Sequence, residues 1–229
     1  MNAEPAISPD DLDAANLLQM TVSAVEAADA LAARAREVMS ARVKVEGRVS
    51  GRLLEEAQFG AHAYAWMATY VEALRQLHGW AERLSAAGAF GETEQLILRI
   101  GFGEYLWQLY GGIPMSQGEI ARPQDIGLTQ DDQRLLMTDS VQWLTRNGNS
   151  DAARMRLAEL MTEQEGASSF GATGLDEEFE MVREQFRRFA DERVLPDAHG
   201  WHLRDELIPM EIVEEMSEMG VFGLTIPEE

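Results

Sequence analysis

Apolar residues recur at intervals of three, four and seven positions along much of the chain, which is the pattern of amphipathic helices. The first such stretch begins near Ser8 or Asp10 and includes Leu12, Leu18, Val25, Leu31 and Val38. Residues 44–51 hold two glycines and lose the pattern, so they are predicted to form a turn. A second long helix is predicted over residues 52–87, with Gly88 as its C-terminal cap.

The middle of the chain predicts three further helices. One covers residues 92–110 and stops at Gly111-Gly112-Ile113-Pro114, because proline and glycine end helices. An ordered loop is expected up to residue 128. Thr129 or Asp131 then caps a helix that ends near residue 146, and Ser150 caps one over 150–165.

The segment over residues 166–175 is small, polar and rich in glycine and serine, so we interpret it as a flexible linker. Beyond it, a helix is predicted to end at Leu195-Pro196, followed by a short loop through Trp201. A last helix begins at Pro209 and closes at Gly220. No convincing alternation of apolar and polar residues marks a strand. The fold is therefore predicted to be all-α, with a helical extension over 1–165, the linker, and a second helical domain over 176–229.

Composition narrows the classes of protein that fit. The chain has 229 residues with a net charge of −21, which disfavours binding to nucleic acid or to anionic membranes. It has no cysteine, which excludes disulfides, thiolate zinc sites and cysteine nucleophiles. No apolar run approaches the roughly 20 residues that span a bilayer, and the first residues lack a secretory signal. We therefore expect a soluble, cytoplasmic protein.

The residues give no catalytic constellation. His199 and His202 have a spacing that suits two ligands of one metal, but a third ligand is missing, so a structural or surface role is favoured. His62 is interpreted as a hydrogen-bonded core histidine. Adjacent carboxylates do not face each other on a helix, so solvation or capping is favoured for them. They include Glu55 with Glu56, Asp131 with Asp132, and Glu177 with Glu178.

Motifs for nucleotides are also missing. Gly101-Phe-Gly103 lies inside a predicted helix without a preceding strand, so it is not a dinucleotide fingerprint. Seven methionines are interpreted as residues that fill gaps in the core: Met137, Met155, Met161, Met181, Met210, Met216 and Met219. From the residues alone, we therefore expect no catalytic, cofactor-binding or metal-binding residue in the chain.

The C-terminal quarter of the chain nevertheless resembles the N-terminal helical segment of the acyl-CoA dehydrogenase family. The similar run begins with Phe186-Arg-Arg-Phe189 and passes through Leu195-Pro196 and Trp201. Its end, Gly220-Val-Phe-Gly223-Leu-Thr-Ile-Pro227-Glu-Glu, matches the family pattern G-x-x-G-L-x-x-P-E-E. The fold that this resemblance implies is the opening of that family's N-terminal helical domain.

The resemblance implies an FAD-dependent enzyme that oxidises an acyl-CoA and passes electrons to an electron-transfer flavoprotein, commonly as a homo-oligomer. In the family, the catalytic glutamate and the main flavin-binding segments follow the stretch that matches here. No catalytic or flavin-binding residue is therefore carried over. The chain by itself is expected to be inactive and to bind no FAD.

Residues 1–165 resemble the extension found on members of the family that act on methylsuccinyl-CoA. Within them, Gln108-Leu-Tyr-Gly111-Gly112 is similar to the pattern Q-x-x-G-G-x-G of the family's C-terminal bundle, but Ile113-Pro114 replaces the last glycine. We interpret this part as a degenerate bundle in which the turn packs and does not contact flavin. The alternative function is a non-enzymatic helical scaffold or oligomerisation module, and the coding sequence beyond Glu229 discriminates between the two.

Overall fold

The computed structural model of the chain describes residues 12–164, 170–223 and 226. The chain divides into two units, Met1–Gly174 and Leu175–Glu229, which we describe separately. Helices dominate both units, which confirms the all-α class predicted from the apolar pattern. Ser8 and Asp10, the expected start of the first helix, lie outside the described residues. Among those described, no helix is both long and apolar enough to cross a membrane.

The first unit is a bundle of long helices with small hairpins and short helices between them. Asp13 caps the first helix, since its carboxylate accepts a hydrogen bond from the backbone N–H of Asn16 at 2.7 Å. The elements are α1 (Ala14–Val43), β1 (Lys44–Val45), β2 (Arg48–Val49), α2 (Gly51–Glu56), α3 (Gln58–Ala86), α4 (Glu92–Gly111), β3 (Ile113–Pro114), β4 (Ile120–Ala121), α5 (Pro123–Ile126), α6 (Gln130–Gln133), α7 (Asp139–Asn147) and α8 (Asp151–Glu163).

The core of this unit lies where α1, α3, α4 and α7 meet. The helices α1, α3 and α7 each bury one apolar stripe, as their spacing predicts. Helix α4 buries two faces, because Leu98 lies in the main core whereas Leu96 packs with residues of α8. Side chains with no exposed surface come from all four helices and include Leu31, Leu74, Leu98, Phe102 and Leu144. The bundle is therefore closed on itself around a continuous apolar interior.

Two short hairpins interrupt the helices, although no strand was predicted. The strands β1 and β2 are antiparallel and pair Lys44 with Val49. Their connection, Glu46-Gly47, has positive φ at both residues (49° and 78°), as a tight two-residue hairpin turn requires. The strands β3 and β4 pair Ile113 with Ala121 inside the predicted loop. Two-residue strands are too short to produce an alternating pattern, which is why the sequence did not reveal them.

Two predicted helices are each broken into pieces. The helix expected over residues 52–87 is interrupted at Ala57, which separates α2 from α3. The helix expected over 129–146 is divided into α6, a 3₁₀ turn at Arg134–Leu136, and α7. Thr138 causes the second break, because its hydroxyl accepts from the N–H of Val141 at 3.3 Å and so begins a new helix. Ser150 caps α8 as predicted, accepting from the N–H of Ala153 at 3.2 Å.

The second unit consists of α9 (Glu177–Phe189), a π-helical turn (Ala190–Val194), α10 (Leu195–Leu203), α11 (Met210–Glu218) and a 3₁₀ turn (Val221–Gly223). The predicted helix end at Leu195-Pro196 and the predicted loop through Trp201 are both wrong. The chain stays helical through the π turn, and Pro196 falls in the first turn of α10. Proline is tolerated there because the π turn, in which the N–H of Leu195 donates to the carbonyl of Ala190, already interrupts the i→i−4 hydrogen bonds of the α-helix.

The second unit buries very little of its apolar surface. Ile212 is the one buried residue among those that the structure describes in this unit, at 6% exposure. Large apolar side chains stay exposed on its helices and connections, among them Phe179, Met181, Leu195, Leu203 and Leu207. Polar contacts tie the elements together instead, since Arg193 donates from its Nε and Nη2 atoms to the two carboxylate oxygens of Glu215 on α11. This unit therefore has formed helices without a closed core.

Candidate functional site

The end of α4 holds the residues that the sequence singles out, Gln108, Gly111 and Gly112. The N–H of Gly112 donates to the carbonyl of Gln108 at 2.8 Å and closes the helix. A Cβ atom on Gly112 would lie 2.6 Å from the Cγ2 atom of Ile120, so β4 packs directly on this backbone. The glycine is thus explained by close packing against a neighbouring strand.

The side chain of Gln108 contacts the neighbouring helix α3 and the preceding turn of its own helix, α4. Its Oε1 accepts a hydrogen bond from the Tyr70 hydroxyl at 2.6 Å, and its Nε2 donates to Glu104 at 2.6 Å. Glu104 also accepts from the side-chain amide of Asn149 at 2.6 Å. Both polar atoms of Gln108 therefore have protein partners, which favours the packing role predicted for this turn.

An aromatic cluster surrounds the same network. Tyr70 stacks on Tyr105 at 4.5 Å between ring centroids and makes an edge contact with Trp66 at 6.3 Å. Burial raises the pKa of Tyr70 above its usual value, and the neighbouring Tyr105 and Glu104 add to the shift. Trp66 donates its indole N–H to Nε2 of His62 at 3.0 Å. His62 is hydrogen-bonded as predicted, but it is exposed, so its predicted core position is wrong.

A polar depression of about 510 Å³ opens beside this turn and is lined by Tyr110, Arg122, Gln133, Arg134 and other residues. Arg134 is paired with Asp131 at 3.0 Å. Among the residues that the structure describes, neither a carboxylate nor a histidine lines this depression, so it lacks the side chains that most often act as general bases.

A second depression, of about 340 Å³, does contain a carboxylate, Glu92. Arg156 donates to both of its oxygens, at 2.7 and 2.9 Å, which ties α8 to α4. These hydrogen bonds lower the pKa of Glu92. A general acid or base works best with a pKa near the operating pH, so this pairing is suited to structure and not to catalysis.

The paired carboxylates act in capping, or lie in solvent, as expected. Asp132 forms a capping box with Thr129, accepting from its N–H at 2.8 Å and from its hydroxyl at 2.7 Å. Arg34 on α1 also donates to Asp132 at 2.8 Å. The Thr129 hydrogen bonds, followed by that of Arg34, lower the pKa of Asp132 from 3.8 to about 2. Glu177 and Glu178 are exposed in the first turn of α9.

The histidines do not converge on a metal. His199 and His202 lie on α10, one turn apart and exposed, and not in a loop as predicted. Within residues 12–164, 170–223 and 226, no three or more ligating side chains form a group that suits a metal ion.

His78 makes contacts that the sequence did not reveal. Its Nδ1 lies 2.9 Å from the hydroxyl of Thr21, a fully buried residue on α1. That hydroxyl already donates to the carbonyl of Leu18 at 2.8 Å, so Nδ1 of His78 is the donor. Nε2 of His78 lies 3.4 Å from Glu82. The histidine thereby links α1 to α3 and acts in packing.

Glu94 is the buried carboxylate that sequence reasoning missed. It is 6% exposed and lies in the first turn of α4. One oxygen accepts from the N–H of Gly91 at 2.9 Å, and the other accepts from the N–H of Ala172 at 2.7 Å. The spacing from Gly91 to Glu94 is that of a capping box and signals the first contact. No local pattern signals the second, which spans 78 positions.

Part of the predicted linker is therefore hydrogen-bonded to the first unit. Trp80 on α3 donates its indole N–H to the carbonyl of Ala172 at 3.1 Å. Residues 166–169 of the predicted linker lie outside the described residues. The division into an extension over 1–165, a linker over 166–175 and a domain over 176–229 stays a prediction, and in the structure the first unit extends to Gly174.

Known proteins contain sequences that are similar to both parts of the chain. Residues 176–229 match the acyl-CoA dehydrogenase N-terminal domain. A (2S)-methylsuccinyl-CoA dehydrogenase of Cereibacter sphaeroides is 58% identical over 214 residues, or 93% of this chain. The chain spans 38% of the length of that relative. The similarity of this chain to acyl-CoA dehydrogenases thus lies in their N-terminal domain over residues 176–229, and its similarity to the longer relative extends into the helical bundle before them.

Proposed function

We propose that the chain is the N-terminal part of an FAD-dependent acyl-CoA dehydrogenase that oxidises a short branched acyl-CoA such as methylsuccinyl-CoA. The observation that carries the proposal is the 58% identity to a (2S)-methylsuccinyl-CoA dehydrogenase over 93% of the chain. The similarity includes the helical extension and is not confined to the family's N-terminal domain. A relationship of that extent favours a shared substrate class over a shared fold alone.

The reaction of such an enzyme is an α,β-dehydrogenation that yields a 2-enoyl-CoA. A glutamate base removes the α-proton, and raising the pKa of that base by burial brings it towards the working pH. In such an enzyme, bound FAD would supply the acceptor for the hydride from the β-carbon, and an electron-transfer flavoprotein would then take up the electrons. We assign the base to no residue of this chain.

The described residues also fit FAD poorly. Gln108, the polar side chain of the turn that resembles a flavin contact, has both of its polar atoms bonded to Tyr70 and Glu104. Gly112 is covered by Ile120. We therefore propose that the chain alone holds no flavin and catalyses no dehydrogenation.

The contribution of the chain is structural in this proposal. The apolar side chains of α9 that the second unit leaves exposed, such as Phe179 and Met181, are suited to contact with further protein. We propose that α9–α11 form part of a helical domain that closes in the complete enzyme. The closed bundle of the first unit packs as an independent extension.

The test compares the product of the complete coding sequence with the 229-residue chain. Each is supplied with (2S)-methylsuccinyl-CoA and an electron-transfer flavoprotein or a dye acceptor. We expect the complete product to carry flavin absorbance and to reduce the acceptor, and the 229-residue chain to do neither. An inactive, flavin-free complete product would contradict the proposal. A coding sequence that stops at Glu229, with self-association on size exclusion, would favour the scaffold instead.

A further inference from the structure

The segment Phe170–Gly174, which we call the strap, lies along the first unit beside α3 and α4. Both backbone polar groups of Ala172 have partners there. Its N–H donates to Glu94 at 2.7 Å, and its carbonyl accepts from Trp80 at 3.1 Å. The backbone of Ala172 is thus hydrogen-bonded through both its N–H and its carbonyl, as in a β-strand, but its partners are side chains of α4 and α3.

Glu94 ties the strap to the start of α4. Its carboxylate is 6% exposed, and each oxygen accepts one backbone N–H, from Gly91 and from Ala172. Hydrogen bonds to an ionised acceptor are among the stronger ones, and a buried carboxylate that lost one would keep an unsatisfied oxygen. Release of the strap therefore removes a hydrogen bond from Glu94, and this costs free energy in the rest of the first unit as well as in the strap.

The strap glycines are fitted to this surface. Gly171 has a φ of +75°, and a Cβ on it would lie 2.8 Å from Oε1 of Glu94. Gly174 has a φ of +67°, and its Cβ would lie 3.0 Å from Cδ1 of Trp80. At both positions only glycine permits the backbone conformation and the close approach together. A merely flexible connection would need neither.

We propose that the strap is a docking device, with Glu94 as its latch, which fixes the point at which the chain leaves the first unit. While the strap is docked, the chain leaves the bundle at Gly174, beside Trp80. When it is released, its five residues become a tether of up to about 17 Å. The latch thereby sets how much freedom the following unit has, independently of any catalytic function.

The experiment measures docking of the strap in the full 229-residue chain. Amide hydrogen exchange at Ala172 reports the latch hydrogen bond, and chymotrypsin cleavage after Phe170 reports access to the strap. Gly171→Ala is the test variant. Gly47→Ala is its matched control, since Gly47 has nearly the same φ (+78°) with nothing within 4 Å of a Cβ. Both variants place alanine at nearly the same positive φ, and only the first brings a Cβ against Glu94.

We expect Gly171→Ala to accelerate exchange at Ala172 and cleavage after Phe170 by at least tenfold, and Gly47→Ala to leave both unchanged. Equal effects of the two variants would overturn the proposal. So would exchange at Ala172 in the unmodified chain as fast as in an unstructured peptide.

A second pair covers the case in which Gly171→Ala fails to fold. Glu94→Gln keeps the size of the side chain but replaces one acceptor oxygen with a donor. Glu92→Gln changes an exposed carboxylate in the same helical turn that contacts Arg156 and not the strap. Faster exchange at Ala172 in Glu94→Gln alone supports the latch, and equal rates in both variants contradict it.

Discussion

Gly103 on α4 and Gly148 at the end of α7 bring the backbones of their helices into direct contact. A Cβ on Gly148 would lie 3.2 Å from the Cα of Gly103. A Cβ on Gly103 would lie 2.7 Å from the backbone nitrogen of Asn149 and 2.9 Å from the carbonyl oxygen of Leu144. Since the neighbouring atoms are backbone, they cannot move aside as a side-chain end would.

Alanine at either position is therefore expected to destabilise the first unit. We expect Gly148→Ala and Gly103→Ala each to lower the free energy of unfolding by about 1–3 kcal/mol, as overpacking of a well-packed interior does. Urea denaturation followed by circular dichroism measures the change.

Gly79→Ala is the matched control within α3. A Cβ there meets only the end of the Arg83 side chain, at 3.5 Å. Because alanine favours helix over glycine, this variant should raise the free energy of unfolding by about 0.5–1 kcal/mol. If all three variants behave alike, the contact between α4 and α7 is not what requires the glycines.

The Tyr70 hydroxyl is expected to contribute measurably to stability. Tyr70→Phe removes its hydrogen bond to Gln108 and should lower the free energy of unfolding by about 1 kcal/mol. Tyr64→Phe is the control on the same helix, since no hydrogen bond joins its hydroxyl to the part of the chain that the structure describes. Equal losses in the two variants would show that the bond to Gln108 adds nothing.

The same hydroxyl should ionise late in an alkaline titration. The pKa of Tyr70 is raised above its ordinary value of 10.0 in the folded chain. Its contribution to stability is thus complete below pH 10 and declines as pH rises through the folded-state pKa. Absorbance titration of the phenols should lose its highest-pH component in Tyr70→Phe, and an unchanged curve would contradict the shift.

The lowered pKa of Asp132 predicts that the stability of the folded chain decreases at acid pH. Its pKa falls from 3.8 to about 2 on folding, so its contribution is present above pH 3.8 and is lost as pH falls towards 2. We expect Asp132→Asn to have a lower Tm than the unmodified chain near neutral pH, and the gap to narrow between pH 4 and pH 2. Thermal unfolding across this pH range measures it.

Asp131→Asn serves as the neighbouring control for this prediction. Asp131 is exposed and pairs with an exposed arginine, Arg134, so its removal should change Tm little. A gap for Asp132→Asn that stays constant down to pH 2 would show that Thr129 and Arg34 do not stabilise the charged form.

The two units should differ in their ability to fold alone. The first unit is closed around a buried core, whereas the second buries only Ile212 among its described residues. We expect residues 1–174 to unfold cooperatively in urea, and residues 175–229 to show little helix by circular dichroism at neutral pH. A cooperative transition for 175–229 would mean that its helices need no further cover.

The sequence predicts well those elements that depend on local signals. Apolar spacing locates α1, α4 and α8, and Ser150 marks the start of α8 because its cap depends on neighbours three positions away. The break at Thr138 also has a local cause, but apolar residues continue across it and conceal it. The continuation through Pro196 was missed because the pattern cannot show a change from α to π geometry.

The contacts of the candidate residues are long-range and could not be predicted. Gln108 and Tyr70 are 38 positions apart, and Glu94 and Ala172 are 78 apart. Nothing in the residues around Ala172 indicates that its N–H has a buried carboxylate as partner. A flexible linker and a segment that docks through its backbone are both rich in small residues. Composition alone therefore could not distinguish the two.

The π turn at Ala190–Val194 also determines where the side chains of α10 point. Relative to an unbroken α-helix, one added residue rotates everything that follows by about 100° around the axis. The apolar stripe that contains Phe186 and Phe189 is therefore not continued in register by α10. Loss of a single residue from this turn would rotate Trp201 and the rest of α10 about the helix axis, although the sequence of α10 itself would be unchanged. The length of the turn therefore determines the fold as much as its composition does.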